Sequence, residues 1–212
     1  MPDINFNFFR PFGPLIGVTT LPNDIIFKLN DFFDKHLDNE YKKRFDAGSK
    51  LVGNVTEELT LSDEILNKSG WKDFLFFSIK NYVKFAIGTS PEQIDLHASW
   101  IVRQYQNEYN PTHWHSGHIS GVAYLKVPES YGKPLQSTKQ NVSVNGNIQL
   151  IHGSRMFMCD SLFTHKPKVG DFLLFPHYMM HTVFPFYGTD NERRSLSFNA
   201  SIEKSLFEKA IS

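Results

Sequence analysis

The sequence of 212 residues predicts a mainly β fold, with helices first and an antiparallel sandwich or barrel after them. Two observations support this prediction. Apolar residues recur at helical spacing in the first ninety residues, whereas short apolar runs separated by Gly, Pro and Asn turns follow from Ile94 onward. The length suits one domain with a substantial core. We therefore expect a single domain over 1–212, helical in 1–90 and β in the core of 91–204.

The helical part contains two predicted helices. The first begins at Pro22-Asn23-Asp24, a common start signal, and its apolar face comprises Ile25, Leu29, Phe32, Phe33 and Leu37. The second runs from about Trp71 to Ala86, and Gly88 follows it as a stop. The segment 45–68 between them is predicted to be a loop, with a short helix near Ser62–Leu66.

The β part contains runs typical of short strands. They are LHASWIVRQY, SGVAYLKV, NVSVNGNIQLI, GDFLLFP, HTVFPFY and RRSLSFNASI. The third run predicts a hairpin that turns at Asn145-Gly146. The segment 128–145 is the loosest connection, and we expect it to be a surface excursion.

The composition excludes several classes of function. Lys+Arg and Asp+Glu both total 22, so the net charge offers no long-range attraction for nucleic acid or anionic lipid. Cys159 is the only cysteine, which rules out an internal disulfide and favours a reducing, cytoplasmic setting. No apolar run approaches the ~20 residues of a membrane span, and the N-terminus lacks the pattern of a signal peptide. We expect a soluble cytoplasmic protein, and its oligomeric state is left open.

Three histidines form a candidate metal site. In an extended backbone His113 and His115 leave the same face, so their imidazoles can share one ion. A third ligand must then come from a distant strand, and His181 follows the run GDFLLFP across a short turn. The alternative is that these are solvated residues of a turn. The remaining histidines considered, His118, His152, His165 and His177, are expected to be ordinary polar residues.

The last predicted strand carries a candidate carboxylate site. Arg193, Ser195 and Ser197 share one face of this strand, and Arg194 points to the other. A guanidinium and a hydroxyl at this spacing can hold a carboxylate. An ordinary solvent-facing strand is the alternative.

Three segments together resemble the 2-oxoglutarate–Fe(II) oxygenase superfamily: HWHSGHISGVAYLKVP, GDFLLFPHYMMHTVFP and RRSLSFN. They are most similar to its putative oxygenases of bacteria and phages, which share the His-x-His pattern. The resemblance covers 94–200. It implies a distorted double-stranded β-helix, a cupin-like jelly roll, with the N-terminal helices packed on it. It also implies an enzyme that uses Fe(II), 2-oxoglutarate and O2, forms succinate and hydroxylates a small-molecule or peptide substrate.

The resemblance assigns roles to individual residues. His113, His115 and His181 take the places of the iron ligands. Arg193 and Ser195 match the pair that grips the remote carboxylate of 2-oxoglutarate. Tyr124 matches a strand tyrosine that binds the same carboxylate, and Tyr105 is a further cosubstrate candidate whose alternative is a place in the core.

The ligand set departs from the superfamily at one position. Most members have aspartate where this chain has His115. Asp160, Asp171 or Glu129 therefore stays open as a carboxylate ligand. Two other functions also stay open: a three-histidine, cupin-type dioxygenase that needs no 2-oxoglutarate, and a non-catalytic jelly roll that binds a metal or ligand. A zinc hydrolase is disfavoured because nothing nearby resembles a general base.

Overall fold

The computed structural model describes residues 5–9, 13–35, 39–132 and 143–211. Its strands are β1 (Phe6–Phe9), β2 (Ile16–Thr20), β3 (Glu57–Thr60), β4 (Ile94–Gln104), β5 (Asn110–His113), β6 (Ile119–Lys126), β7 (Ile148–Ile151), β8 (Leu162–His165), β9 (Asp171–Pro176), β10 (Met180–Val183) and β11 (Arg193–Ile202). Its helices are α1 (Asn23–Lys35), α2 (Asn39–Phe45), α3 (Asp63–Lys68), α4 (Trp71–Ile87) and α5 (Lys204–Ile211), and a short 3-10 helix covers Gly48–Lys50.

The strands form two antiparallel sheets that face each other. The large sheet has seven strands in the order β1-β2-β9-β6-β11-β4-β3, and the small sheet has four in the order β5-β10-β7-β8. Neighbouring strands are mostly distant in sequence, as a jelly roll requires. The expectation of a mainly β jelly roll with flanking helices is confirmed.

The large sheet is buried on both faces. On one face the helices pack against alternate residues of its strands, and Trp71 of α4 meets the rings of Phe172 and Phe198 at 5.3 and 6.5 Å. The indole Nε1 of Trp71 also donates a hydrogen bond of 3.0 Å to Ser99 Oγ. The other face packs against the small sheet through a second apolar cluster that includes Tyr124. Residues of one strand therefore belong alternately to the helix side and to the space between the sheets.

The predicted helices are confirmed in part. Helices α1, α3 and α4 lie where the sequence places them, although Leu37 is outside the described residues. Helices α2 and α5 were not predicted. Among the described residues, no helix has the length and apolar character that crossing a membrane requires.

The first ninety residues were expected to be helical, but they also contain three strands. Strands β1 and β2 extend one edge of the large sheet, and β3 forms its other edge inside the segment predicted to be a loop. Strands β5 and β8 were also missed. All of these have four or five residues, which is too short for alternation to stand out from the surrounding chain.

The predicted hairpin around Asn145-Gly146 is wrong in its pairing. Strand β7 pairs with β10 and β8, whereas residues 143–144 before the turn are not in a strand. The predicted excursion over 128–145 lies largely outside the described residues, which omit 133–142.

Candidate metal and cosubstrate site

Three imidazoles converge between the two sheets. His113 and His181 face each other across the paired strands β5 and β10, and His115 follows two residues after β5. Their candidate ligand nitrogens all lie within 4.8 Å of one another. The Nε2 atoms of His115 and His181 are 3.2 Å apart.

Backbone carbonyls orient two of these rings. The Nδ1 atom of His113 lies 2.6 Å from the Pro111 carbonyl oxygen, and that of His181 lies 2.9 Å from the Met179 carbonyl oxygen. When each Nδ1–H donates to its carbonyl, the lone pair is on Nε2. This is the usual arrangement for a metal-binding histidine, whose second nitrogen is held by a hydrogen bond.

The three histidines are neutral at physiological pH. Burial, reinforced by the neighbouring histidines, lowers the pKa of His181 to about 3 and that of His115 to about 4. Burial also lowers the pKa of His113. Neutral imidazole is the form that binds a metal ion, so the ligands need not lose protons first.

The spacing of His115 and His181 suits a shared ion. Imidazole nitrogens bind an ion such as zinc at ~2.0–2.1 Å, so two of them at right angles on one ion are ~3.0 Å apart. The observed 3.2 Å between His115 and His181 matches this separation.

The histidine cluster is the one candidate metal-binding group among the residues that the structure describes. The three carboxylates kept open as ligands lie elsewhere. Asp160 and Glu129 are exposed. Asp171 Oδ2 is 2.7 Å from His165 Nε2 and accepts a hydrogen bond of 2.9 Å from the Lys168 amide. His118 is also outside the cluster, because its ring stacks on Phe207 at 3.8 Å.

A buried cation lines the same cavity. Strand alternation turns Arg193, Ser195 and Ser197 toward the histidines, and all three line the cavity with them. The guanidinium of Arg193 is almost fully buried, and burial lowers its pKa. Its Nη1 donates a hydrogen bond of 2.8 Å to the Gly146 carbonyl, but its Nε has no partner.

Two buried hydroxyls next to Arg193 also lack partners. The guanidinium carbon of Arg193 is 5.5 Å from the centre of the Tyr124 ring, and Tyr124 is opposite Ser195 on β6. The hydroxyls of Tyr124 and Tyr131 are both buried without a hydrogen-bond partner. Burial raises the pKa of both tyrosines, so each hydroxyl keeps its proton and can donate it. Unpaired buried polar groups are uncommon. Arg193 Nε and the two tyrosine hydroxyls are three such donors close together, which indicates a site for an anion.

Tyr131 was not found from the sequence. It follows the end of β6 in an irregular segment, where no alternation assigns a face. Its ring packs against Gly146, whose φ is +67°, and a Cβ there would come within 2.2 Å of the Tyr131 ring. Gly146 therefore has two contacts at the site: its Cα side allows the close approach of the Tyr131 ring, and its carbonyl accepts the hydrogen bond from Arg193.

Tyr105 lies away from the cavity. It continues the alternation of β4 on the side of Arg103, and its hydroxyl accepts a hydrogen bond of 3.0 Å from Arg103 Nη2. It is not among the residues that line the cavity. Arg194 is on this opposite side too, as its place in the strand predicts, but it is fully buried among ion pairs.

The cavity contains one carboxylate that the sequence did not reveal. Glu58 of β3 is 2% exposed and lines the cavity together with Asn110. Burial raises the pKa of Glu58 to about 7, although a hydrogen bond from Asn110 acts in the opposite direction. In the sequence Glu57-Glu58 resembles an ordinary solvated acidic pair, and the structure separates the two onto opposite faces of the sheet.

The family comparison agrees with this site. Residues 98–199, just under half of the chain, match the model of a family described as putative 2OG-Fe(II) oxygenase. The matched segment contains the three histidines as well as Arg193 and Ser195. None of the curated proteins compared with the sequence matches it.

Solved structures show the same fold at low sequence identity. A prolyl-4-hydroxylase from Pseudomonas putida is 13% identical with a TM-score of 0.51, over 87% of this chain and 91% of that one. The viral collagen prolyl hydroxylase of Paramecium bursaria Chlorella virus-1, in its 2OG complex, has the same identity and TM-score over 87% and 94%. HygX from Streptomyces hygroscopicus, solved with nickel, 2-oxoglutarate and hygromycin B, is 10% identical with a TM-score of 0.56 over 89% and 83%. By the match of 98–199 and by its fold, the chain resembles the 2-oxoglutarate–Fe(II) oxygenases.

Proposed function

We propose that the protein is a non-haem Fe(II) and 2-oxoglutarate-dependent dioxygenase of the reducing cytoplasm. It converts 2-oxoglutarate and O2 to succinate and hydroxylates a small-molecule or peptide substrate. One observation carries the proposal. A cluster of three neutral histidines shares a cavity with a buried arginine whose hydrogen bonds are incomplete. One small molecule can therefore bind a metal at the histidines and place a carboxylate against the arginine.

The histidines would hold the iron. His113, His115 and His181 present neutral nitrogens, and three protein ligands leave coordination positions for a chelating cosubstrate and O2. When bound, the iron supplies the oxidation and the oxidative decarboxylation of 2-oxoglutarate. The apolar cluster behind His181 keeps that side of the site dry, and the carbonyl bonds to Nδ1 fix the rings.

Arg193 would hold the far carboxylate of 2-oxoglutarate. A buried cation with no anionic partner is unfavourable, and a carboxylate supplies both the opposite charge and acceptors for the unpaired Nε. The Ser195 hydroxyl and the hydroxyls of Tyr124 and Tyr131 are the further donors at this end. Tyr105 is left out because its hydroxyl is engaged by Arg103 on the other side of the sheet.

The same anion site argues against the two alternative functions. A cupin-type dioxygenase without 2-oxoglutarate has no use for a buried guanidinium beside its metal. A non-catalytic jelly roll would have no reason to keep polar hydroxyls unpaired near the cavity, because each buried unpaired group lowers stability.

Succinate formation tests the proposal. With Fe(II) and O2, the purified protein should convert 2-oxoglutarate slowly to succinate even without its substrate, and His181→Ala should abolish this conversion. Calorimetry should show 2-oxoglutarate binding only when a metal is present. Tight iron binding without 2-oxoglutarate affinity would favour the cupin-type function, and absence of iron binding would favour the non-catalytic one.

A further inference from the structure

We infer that the substrate of this oxygenase carries a cationic group, a protonated amine or a guanidinium, that pairs with Glu58. The inference rests on the proposed function for the identity of the reaction. It rests on the position, burial and partners of Glu58 for the class of substrate.

Strand register places Glu58 on the cavity side of the large sheet. Glu58 is opposite Val102, and Val102 is opposite Ser195, so the three side chains leave the same face in one row across β3, β4 and β11. Adjacent strands are ~4.8 Å apart, and Glu58 is therefore ~10 Å from Ser195 across the row. The cavity thus has a cation, Arg193, near one end and a carboxylate near the other.

Glu58 lies at the end that opens to solvent. The loop before β3 passes close to Glu58. A Cβ added to Gly53 in this loop would come within 2.8 Å of Glu58 Oε1 and 2.7 Å of Asn110 Nδ2. Val52 in this loop and Trp114 both line the cavity and are 54% and 66% exposed. A substrate that enters past Val52 therefore meets Glu58 and Asn110.

The carboxylate of Glu58 lacks a cationic partner among the described residues. None of their ion pairs includes it; its hydrogen bond comes from the Asn110 amide, and the charge that acts on it, that of Asp46, is also negative. Its neighbour Glu57 shows the contrast. On the opposite face, Glu57 is paired with Lys42 and with Arg103. A buried carboxylate is normally paired, so an unpaired one that lines an open cavity is suited to a cationic ligand.

The metal and the cosubstrate do not supply this partner. Fe(II) is a dication and 2-oxoglutarate a dianion, so together they add no net charge to the cavity. The cavity is also small, about 120 Å³ against the ~300–1,000 Å³ of a typical ligand pocket. Only one end of a substrate can therefore enter, and the rest must stay near the exposed rim at Val52 and Trp114. The cationic end can belong to a free amine or to a Lys or Arg side chain of a peptide.

Small cationic probes test this inference without turnover. The protein is loaded with Ni(II) in place of iron, with and without 2-oxoglutarate, and titrated with n-butylammonium, methylguanidinium, n-butanol and butyrate by ligand-observed NMR. We expect the two cations to bind in the millimolar range and more tightly than butanol or butyrate. Glu58→Gln should weaken cation binding about tenfold or more, the loss expected for a charged hydrogen bond. Glu129→Gln, which changes an exposed carboxylate, is the matched control.

A second variant perturbs the same carboxylate and keeps its charge. Gly53→Ala places a methyl group against the ends of Glu58 and Asn110, so it should also weaken cation binding. Tripeptides with a central lysine or norleucine then distinguish the two sources. A preference for the lysine peptide over n-butylammonium indicates a protein substrate, and equal affinity indicates a small amine.

Two results would overturn the inference: butanol binding as tightly as butylammonium, or Glu58→Gln leaving cation affinity unchanged. In the second case, a loss of nickel affinity in Glu58→Gln would show that Glu58 acts on the metal instead. The proposed function fails separately. If 2-oxoglutarate does not bind to the nickel-loaded protein, the cosubstrate assignment is wrong, whatever the cations do.

Discussion

Replacing Arg193 and Arg194 one at a time by methionine should produce opposite effects, although the two residues are adjacent on β11. Arg193 faces the cavity without an ion pair to any residue that the structure describes. Arg194 faces the helices and is 0% exposed, with its Nε 2.7 Å from Glu192 Oε1 and its Nη2 2.8 Å from Asp34 Oδ1. Its Nη1 also donates to Asn30 Oδ1 at 3.0 Å. Arg193 should therefore matter for binding and Arg194 for stability.

The size of the Arg194→Met effect follows from its partners. Removing one member of a buried ion pair destabilises a protein by ~3–5 kcal/mol. We expect roughly 3 kcal/mol, the lower end, because Glu192 keeps its bond of 2.7 Å to Arg103 and Asp34 is 47% exposed. For a domain of this size, such a loss lowers the melting temperature by roughly 6–12 °C. The affinity of the folded protein for 2-oxoglutarate should change little.

Arg193→Met should do the reverse. Its loss removes a hydrogen bond to Gly146, worth ~1 kcal/mol, and also removes a buried cation without an anionic partner. These effects oppose each other, so the melting temperature of the ligand-free protein should stay within about 4 °C of the parent. A charged hydrogen bond to a carboxylate contributes ~1.5–3 kcal/mol, so 2-oxoglutarate should bind about ten- to a hundred-fold more weakly.

Thermal unfolding followed by circular dichroism and calorimetry with 2-oxoglutarate on nickel-loaded protein measure the two effects. Arg103→Met is the comparison for Arg194→Met, because Arg103 is the other arginine that pairs with Glu192 on this face of the sheet. If Arg194→Met loses 2-oxoglutarate binding and Arg193→Met does not, the register of β11 is wrong by one residue. A threefold or smaller change in affinity for Arg193→Met would refute the carboxylate assignment.

Other changes test the metal site and the buried carboxylate. Changing His113, His115 or His181 to alanine should abolish tight iron binding as measured by metal analysis, whereas His118→Ala should not, and normal iron content in any of the first three would remove that residue from the ligand set. His115→Asp recreates the usual ligand set of the superfamily, so it should retain iron; loss of the metal would show that the backbone at this position suits only histidine. Glu58→Gln should stabilise the protein against urea by roughly 3 kcal/mol at pH 8 but by less than about 1 kcal/mol at pH 5. The sign follows from a pKa raised from 4.5 to about 7: the folded state holds the proton over that window, so the parent loses stability as the pH rises through it. Equal gains at both pH values would show that the carboxyl is not perturbed.

The half of the site proposed to bind metal and cosubstrate was predictable because its signals are local. Strand alternation assigned His113 and His115 to one face and separated Arg193 from Arg194, and these assignments need no knowledge of the strand partners. The same alternation, applied to the run that ends at Tyr105, would have placed that residue with Arg103 on the other face.

The other half depends on long-range pairing. Glu58 belongs to a four-residue edge strand, and its face is fixed only by pairing with β4, some forty residues later in the chain. Tyr131 reaches Arg193 from an irregular segment, through a glycine turn that lies beyond the undescribed residues 133–142. Strands β1 and β2 were missed for a similar reason, since they are stabilised by the edge of a sheet that the local sequence does not reveal.

The arrangement of charges in the cavity also bears on the orientation of its ligands. Arg193 lies two residues before Ser195 on β11, Glu58 lies two strands away on β3 near the cavity mouth, and the neutral histidines line the same cavity. A dianionic cosubstrate bound with its far carboxylate toward the mouth would place like charges together and leave Arg193 unpaired, whereas the opposite orientation satisfies the guanidinium and the two tyrosine hydroxyls. Glu58 would thus disfavour the wrong orientation of 2-oxoglutarate as well as attract a cation. Glu58→Gln should then reduce the preference for cationic ligands.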